Sequence, residues 1–532
     1  MQKLVLLGDE AIAQGAIDAG LSGIYAYPGT PSTEITEYVQ RSKQAKEKNI
    51  KSTWSVNEKT AMEGAIGMSY AGKRAMVCMK HVGLNVAADP FINSAITGAN
   101  GGLIVVSADD PSMHSSQNEQ DSRVLGKFAL IPILEPVNQQ EAYNMAFYGF
   151  DISEKYGTPV MIRITTRLAH SRAGVVRKEI REQNPVHLPK DHRQYVLLPS
   201  IAKKRYKVLL QNQQNFDNES ETSGYNRYIP GKDKSLGIIA SGIAYNYLME
   251  NFPGGAIPYP VLKISQYPLP KTLFEKMKEC EKLLILEEGY PVIEELLTGV
   301  IKNGLVINGR LDSTLPRDGE LNPNIVAKAL KFPDTKGREI PSIVASRPPS
   351  LCVGCPHIDT VLDLKEVLKD YPKDRVFSDI GCYTLSALPP YEMINSCVDM
   401  GASITMAKGA SDAGLTPSIA LIGDSTFTHS GITGLLDAVN DKSPITVFVL
   451  DNSTVAMTGG QKSSATGKIE YICEGIGVEK EHIHVISPLK KHHDENMEII
   501  KRELDYKGVS VIIPRRECIE TTKKRAKDKN KK

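Results

Sequence analysis

Asp424 and Asn452 are the residues whose types and spacing first suggest chemistry. They stand 28 positions apart in LIGDSTFTHSGITGLLDAVNDKSPITVFVLDNSTVAMTGGQ, residues 421–461. A carboxylate and an amide carbonyl are both hard oxygen donors, the kind Mg²⁺ takes when it is shared with a diphosphate. The apolar run at 418–422 reads as a buried strand that stops at Gly423-Asp424-Ser425. Ile432, Leu435, Leu436 and Val439 follow at helical spacing, and after Pro444 a second apolar run, 445–450, ends at Asp451-Asn452. Both donors therefore belong at the carboxyl ends of parallel strands joined by one crossover helix, where an open α/β sheet binds its ligands. An ordinary βαβ unit with a polar turn is the alternative reading of the same stretch.

A second set of candidates lies in the first 170 residues, which alternate helices at 9–19, 34–46 and 59–70 with strands at 23–27, 51–56, 74–79, 103–107 and 159–164. That alternation describes a doubly wound α/β domain with a parallel sheet. Three loops should share the carboxyl edge of its strands: 27–32 (YPGTPS), 80–85 (KHVGLN) and a long polar loop from Asp109 to Arg123. Pro28 and Pro31 restrict the backbone around Thr30, so that loop can aim a hydroxyl and an N–H at an anion, with His81 and Asn85 adding donors from the next loop. Ser32 and Asp110 also read as helix caps, and plain turn chemistry would account for each loop alone. Three on one edge favour a ligand cleft. Asn57-Glu58 ends the strand at 51–56, and Glu58 in the first turn of the next helix suits the helix dipole.

Residues 175–234 are polar and poorly periodic, and 212–228 reads as a mobile surface loop. A smaller α/β unit follows, with strands at 236–240, 262–264 and 282–287 and no obvious catalytic set. Beyond a linker, the last domain adds strands at 375–378 and 509–513 to those around Asp424 and Asn452.

At 532 residues the chain should form three or four domains of ordinary soluble composition. No apolar run approaches the ~20 residues of a membrane span, and the N-terminal apolar stretch is too short for a signal peptide, so a cytoplasmic protein is expected. Residues 523–532 carry seven cations and one Asp, so the net charge of +2 hides a body of net −4. That body offers no electrostatic case for nucleic acid, and the tail reads as solvated and disordered. Eight cysteines in a cytosolic chain of this size do not suggest disulfides. Cys78 and Cys280 read as packing residues, and Cys397 and Cys473 are scattered, leaving Cys352, Cys355, Cys382 and Cys518 to explain.

The central stretch resembles the thiamine diphosphate motif, GDG followed after a helix by NN, here GDS and DN. That resemblance implies that Asp424, Asn452 and the Thr454 carbonyl hold Mg²⁺, with Gly423 and Ser425 beside the diphosphate. It also implies that Glu58 gives its proton toward the cofactor's pyrimidine ring. Further stretches widen the match: GDEAIAQGAIDAG (8–20), AYPGTPSTEI (26–35), NEKTAMEGAIG (57–67), MKHVGLNVAADP (79–90), LGIIASGIAYNY (236–247), RPPSLCVGCPH (347–357), SDIGCYTL (378–385), MGASITMAKG (400–409) and RREC (515–518). Together, over nearly the whole chain and in the same order, these resemble the α subunits of indolepyruvate:ferredoxin oxidoreductase, in the 2-oxoacid:ferredoxin oxidoreductase superfamily.

The resemblance implies three doubly wound parallel-sheet domains of the transketolase-like, thiamine diphosphate-binding type. They would be a pyrimidine-binding domain at 1–190, a transketolase-C-terminal-like domain at 191–335 and a diphosphate-binding domain at 351–520, with a linker at 336–350 and the basic tail at 521–532. The implied reaction is oxidative decarboxylation of an aryl-pyruvate with coenzyme A to aryl-acetyl-CoA and CO₂. Electrons would pass to ferredoxin, and a small β subunit would be the partner. Longer members end in a ferredoxin-like domain with two CxxCxxCxxxCP runs, and no such run occurs here. Cys352, Cys355 and Cys382 match the spacing by which related members hold one [4Fe-4S] cluster, and Cys518 stands where their fourth cysteine comes. A zinc site, or a CxxC turn with two unrelated thiols, remains open. A non-oxidative thiamine-dependent decarboxylase or synthase is the alternative function, and a catalytically dead scaffold the third.

Overall fold

A computed structural model describes residues 3–299, 305–333, 340–345, 350–372, 374–397 and 399–529. The chain divides into two compact units, Met1–Arg338 and Glu339–Lys532. Of the expected linker at 336–350, residues 336–339 and 346–349 lie outside the described residues.

The first unit is built on a seven-stranded sheet in the order Gln266–Tyr267, Ile133–Leu134, Val160–Thr165, Leu103–Asp109, Ala75–Lys80, Gly23–Ala26, Lys51–Trp54. All neighbours are parallel except the short edge strand Gln266–Tyr267. Leu103–Asp109 is buried along its whole length, as expected of a parallel strand covered on both faces. The unit's second large sheet has five strands, Val306–Asn308, Lys282–Leu286, Gly237–Ser241, Val261–Ile264 and Arg227–Ile229, with only the last antiparallel.

A buried ionic network joins the two sheets. Arg163 Nε lies 2.7 Å from Asp109 Oδ2, and the same guanidinium pairs with Glu135. Arg123 lies 2.6 Å from Asp121 and 2.9 Å from Glu287, the residue following Lys282–Leu286. Tyr267 OH donates to Glu135 Oε2 at 2.8 Å. The expected boundary at 190/191 therefore falls inside one compact body.

Residues 212–228 do not form the expected loop. Pro199–Thr222 is a 24-residue helix with Pro199 in its first turn. Leu209, Phe216 and Ser220 are its buried residues, spaced on one face. So thin an apolar stripe among polar residues hid the helical period.

The second unit carries a six-stranded sheet, all parallel, in the order Ser396–Cys397, Val376–Ser378, Ser418–Gly423, Ile445–Leu450, Ser510–Pro514, Ile483–Ile486. Gly423 pairs with Leu450, which sets the ends of the two central strands side by side. The tail expected to be disordered at 521–532 instead begins as a helix, Ile519–Lys529, and residues 530–532 lie outside the described residues. Lys523 pairs with Glu520 within that helix at 2.7 Å, and such i,i+3 pairs help it form. Among the described residues no helix is long and apolar enough to cross a membrane.

Candidate active site

In the first unit the candidate residues gather at the carboxyl edge of the seven-stranded sheet. Asn57 caps the helix Glu58–Tyr70, its Oδ1 accepting the Thr60 N–H at 2.9 Å. Glu58 is buried at the start of that helix. A Cβ on Gly83 would come within 2.5 Å of Glu58 Oε1, so glycine there makes room for the carboxyl group. The stretch expected as a loop, 80–85, is largely helical, His81–Val86.

The three candidate substrate donors are distributed unevenly. His81 Nε2 lies 3.2 Å from Asn118 O, while its Nδ1 is buried without a hydrogen bond. Exposed Asn85 donates to Gln120 Oε1 at 3.0 Å. Both thus contact the polar 109–123 loop. Thr30 is held from that same loop, its carbonyl accepting the Ser115 hydroxyl at 3.3 Å. Lys80, which the sequence did not single out, donates to Ser115 O at 3.0 Å. Burial lowers its ammonium from the usual lysine range, with Asp110 and Glu58 acting against that shift.

Ser32 and Asp110 stand at helix N-termini but do not cap them with their side chains. Ser32 Oγ donates to Gly29 O at 2.8 Å. Asp110 accepts the Ser115 N–H at 2.8 Å, the Ser116 hydroxyl at 2.6 Å and the Thr166 hydroxyl at 2.7 Å. Both residues shape the loops of the edge instead.

In the second unit, Asp424 follows Ser418–Gly423 and Asn452 follows Ile445–Leu450. Asp424 Oδ1 accepts the Ser425 N–H at 2.8 Å, whereas Oδ2 is buried and makes no hydrogen bond of normal geometry. Burial first, and then the neighbouring Asp451, raise this carboxyl to about 7, and the Ser463 hydroxyl and Ser453 N–H offset that only in part. An acceptor left so is what a cation would satisfy, and the oxygen donors around it suit Mg²⁺.

Asn452 Oδ1 accepts the Thr454 N–H at 3.1 Å, and its Nδ2 lies 3.2 Å from His357 Nε2. Burial pushes His357 down to about 4, so the ring is neutral and Nε2 can accept from the amide. Gly423 N–H donates to Tyr383 OH at 2.8 Å, and a Cβ on Gly423 would meet that ring at 2.9 Å. The motif's departure at Asp451 has a structural cause. Arg515 Nε lies 2.6 Å from Asp451 Oδ2, tying the Asn452 turn to the end of the strand Ser510–Pro514.

The four cysteines collect near the same edge. Cys355 N–H donates to Cys352 O at 3.0 Å in the turn before the helix Pro356–Val367. Cys518 N–H donates to Asn452 O at 3.2 Å, so the last cysteine shares a peptide contact with a candidate metal ligand. Burial pushes the Cys382 thiol up to about 12, and like-charge interaction with Cys355, Cys518 and Cys352 adds to the rise. Burial raises Cys355 too, with Cys352 and Cys518 adding to it. Cys473 is instead packed in the apolar core, and Cys397 Sγ faces Thr384 Oγ1 and Asp379 O.

Four thiols of this kind suit the Cys₄ ligation of a [4Fe-4S] cluster, and equally a tetrahedral Cys₄ zinc site. Gly381 is extended at φ −178, and its value is space, since a Cβ would strike the Tyr383 ring at 2.3 Å. Arg515 and Arg516 are engaged by carboxylates, Arg516 with Asp359 at 3.2 Å, so neither is a free countercharge for thiolates.

Comparison with known proteins follows these positions. A family model described as "Pyruvate flavodoxin/ferredoxin oxidoreductase, thiamine diP-bdg" matches residues 14–225, spanning Thr30, Glu58, His81 and Asn85. One described as "Thiamine pyrophosphate enzyme, C-terminal TPP binding domain" matches residues 379–513, spanning Cys382, Asp424 and Asn452. The structure of the 2-oxoglutarate:ferredoxin oxidoreductase from Magnetococcus marinus aligns over 62% of this chain and 65% of its own, with a TM-score of 0.50 at 16% identity, and so shares the fold. The indolepyruvate oxidoreductase subunit IorA of Pyrococcus horikoshii is 38% identical over 97% of this chain and 86% of its own length. That of Archaeoglobus fulgidus is likewise 38% identical over 97% and 86%. Thiamine-binding sequence, α/β fold and near full-length identity agree, and the chain belongs to the indolepyruvate oxidoreductase subunit IorA family.

Proposed function

We propose that this chain is the catalytic α subunit of a thiamine diphosphate- and Mg²⁺-dependent oxidoreductase for an aryl-pyruvate such as indolepyruvate. The bond between C1 and C2 of the 2-oxoacid breaks and CO₂ leaves. The acyl carbon forms a thioester with the coenzyme A sulfur, whose proton is released, and two electrons reduce ferredoxin; a [4Fe-4S] cluster would supply the one-electron chemistry between them. A small β subunit completes the enzyme, which works in the cytoplasm, where thiols stay reduced. The observation that carries this reading is the contact between Cys518 N–H and Asn452 O, at 3.2 Å, which puts a candidate cluster cysteine next to a candidate metal ligand.

Bound thiamine diphosphate would supply the electron sink for decarboxylation. Asp424, Asn452 and the Thr454 carbonyl would hold the cation, and Gly423, Asp424 and Ser425 would line the diphosphate. His357 keeps the Asn452 amide turned by accepting from its Nδ2. Glu58 would hold a proton against the pyrimidine ring. Thr30, His81 and Asn85 would receive the substrate carboxylate. Cys352, Cys355, Cys382 and Cys518 would ligate the iron, and coordination removes the thiol proton that burial otherwise retains.

Anaerobic copurification with the β subunit, followed by a 2-oxoacid screen with coenzyme A and ferredoxin, tests the reaction. Aryl-pyruvates should give the highest kcat/KM, and Thr30→Val should raise their KM about 10-fold or more, the worth of a hydrogen bond to a charged group, with thiamine diphosphate affinity unchanged. Acceptor-independent release of aldehyde, without iron, would instead establish the non-oxidative alternative.

Glu58→Gln keeps the shape but has no acidic proton to share. Cofactor binding should persist while exchange of the thiazolium C2 proton, followed by NMR, slows by about 10²–10⁴-fold, the usual worth of acid–base catalysis. Unchanged exchange would assign that role to another residue.

A further inference from the structure

Asp9, Glu34 and His170 form a cluster that none of the chemistry above uses. Asp9 lies in the first turn of the helix Gly8–Asp18, Glu34 in the first turn of Thr33–Arg41, and His170 ends Thr166–His170. Each offers one ligand atom, and the three atoms all lie within 4.8 Å of one another. His170 Nε2 is already 3.5 Å from Glu34 Oε2.

Asp9 makes this more than an acidic cluster. It is fully buried, and neither of its carboxylate oxygens has a hydrogen-bond partner. Glu34 Oε2 is buried as well and faces His170 Nε2, which holds its carboxyl below the usual range. The adjacent Glu10 is engaged, its Oε2 accepting the Leu7 N–H at 2.9 Å, so it is not a competing ligand. Burial, with Glu34 and Glu10 adding, drives the Asp9 carboxyl well above its usual range. Buried polar groups are normally satisfied, and two orphaned oxygens on one side chain call for a partner.

We propose that Asp9, Glu34 and His170 bind a divalent first-row cation of the manganese-to-zinc class. Two carboxylates alone would suit Mg²⁺ or Ca²⁺, and the imidazole moves the preference toward transition ions. Three protein ligands leave coordination positions open for water, on the side where His170 is 35% exposed. The ion would tie the helix that follows the Thr30 loop to the first helix of the chain, and so fix that loop from behind.

The test uses Mn²⁺, which carboxylates favour and thiolates do not, counted by electron paramagnetic resonance on the full chain after chelation, without thiamine diphosphate. The Asp424→Ala background removes the competing oxygen site. One bound Mn²⁺ per chain is expected there. Adding His170→Gln, at a partly exposed position, should weaken it at least about 10-fold, the low end of what losing even an outer-shell partner costs, and adding Asp9→Asn should abolish it. No bound Mn²⁺ in the background variant, or binding unchanged by His170→Gln, overturns the proposal. If the background variant does not fold, His170→Gln alone must bind one Mn²⁺ fewer than the wild-type chain, and equal counts overturn the proposal.

Discussion

Thiamine diphosphate affinity at ordinary Mg²⁺ should fall by at least about 100-fold in Asp424→Ala, since a direct charged ligand is worth more than the 10–100-fold of an outer-shell partner. Calorimetry that returned the wild-type affinity would remove Asp424 from the metal site. The same variant should show an opposite effect without ligand. The Asp424 carboxyl sits at about 7 in the folded protein against an ordinary value of 3.8. A group raised on folding favours the native state when protonated, and that contribution is lost as pH rises through the folded value. At pH 8 the unliganded Asp424→Ala protein should therefore be more stable than wild type, by up to about 4 kcal/mol for a shift of this size. Wild-type affinity should also climb about tenfold per pH unit below about 7 and level off above it, because the proton competes with the metal. A mutation that merely damaged the fold would lower stability at every pH.

Iron should drop from roughly four atoms per chain, as one [4Fe-4S] cluster requires, to near zero in Cys382→Ala. Ferredoxin reduction should disappear with it while thiamine diphosphate still binds. Cys397→Ser is the matched control. Its sulfur already has contacts with Thr384 Oγ1 at 3.8 Å and Asp379 O at 3.6 Å, so iron should be retained. Should Cys397→Ser lose the iron while Cys518→Ala keeps it, the fourth ligand has been misassigned. Iron-free wild-type protein, prepared anaerobically with its β subunit, would remove the single-cluster route altogether.

Strands with strong apolar runs are legible in the sequence, because buried parallel strands are nearly continuous in Val, Ile and Leu. Ser418–Gly423 and Ile445–Leu450 begin and end within a residue of where their runs do. The two-residue strands Ile133–Leu134, Gln266–Tyr267 and Ser396–Cys397 left no such trace, being too short to show a period. Residues that act through a distant partner were also invisible. In sequence Asp451 is only a departure from the motif, and its partner Arg515 lies 64 positions later. His357 is an ordinary polar residue in sequence, and only the packing of its helix brings it to Asn452. Lys80 and the orphaned Asp9 were missed for a related reason, since burial of a single charged side chain has no signature in spacing.

The ionic network around Arg123 and Arg163 bears on how this protein can be taken apart or recombined. A fragment ending at 190 would keep both guanidiniums but lose Glu287 and the Tyr267 hydroxyl, together with the edge strand Gln266–Tyr267. Breaking one side of a buried ion pair typically costs about 3–5 kcal/mol, comparable with the whole stability of a marginal domain. A recombinant piece should therefore carry both sheets together, and the seam between the two compact units lies near residue 338.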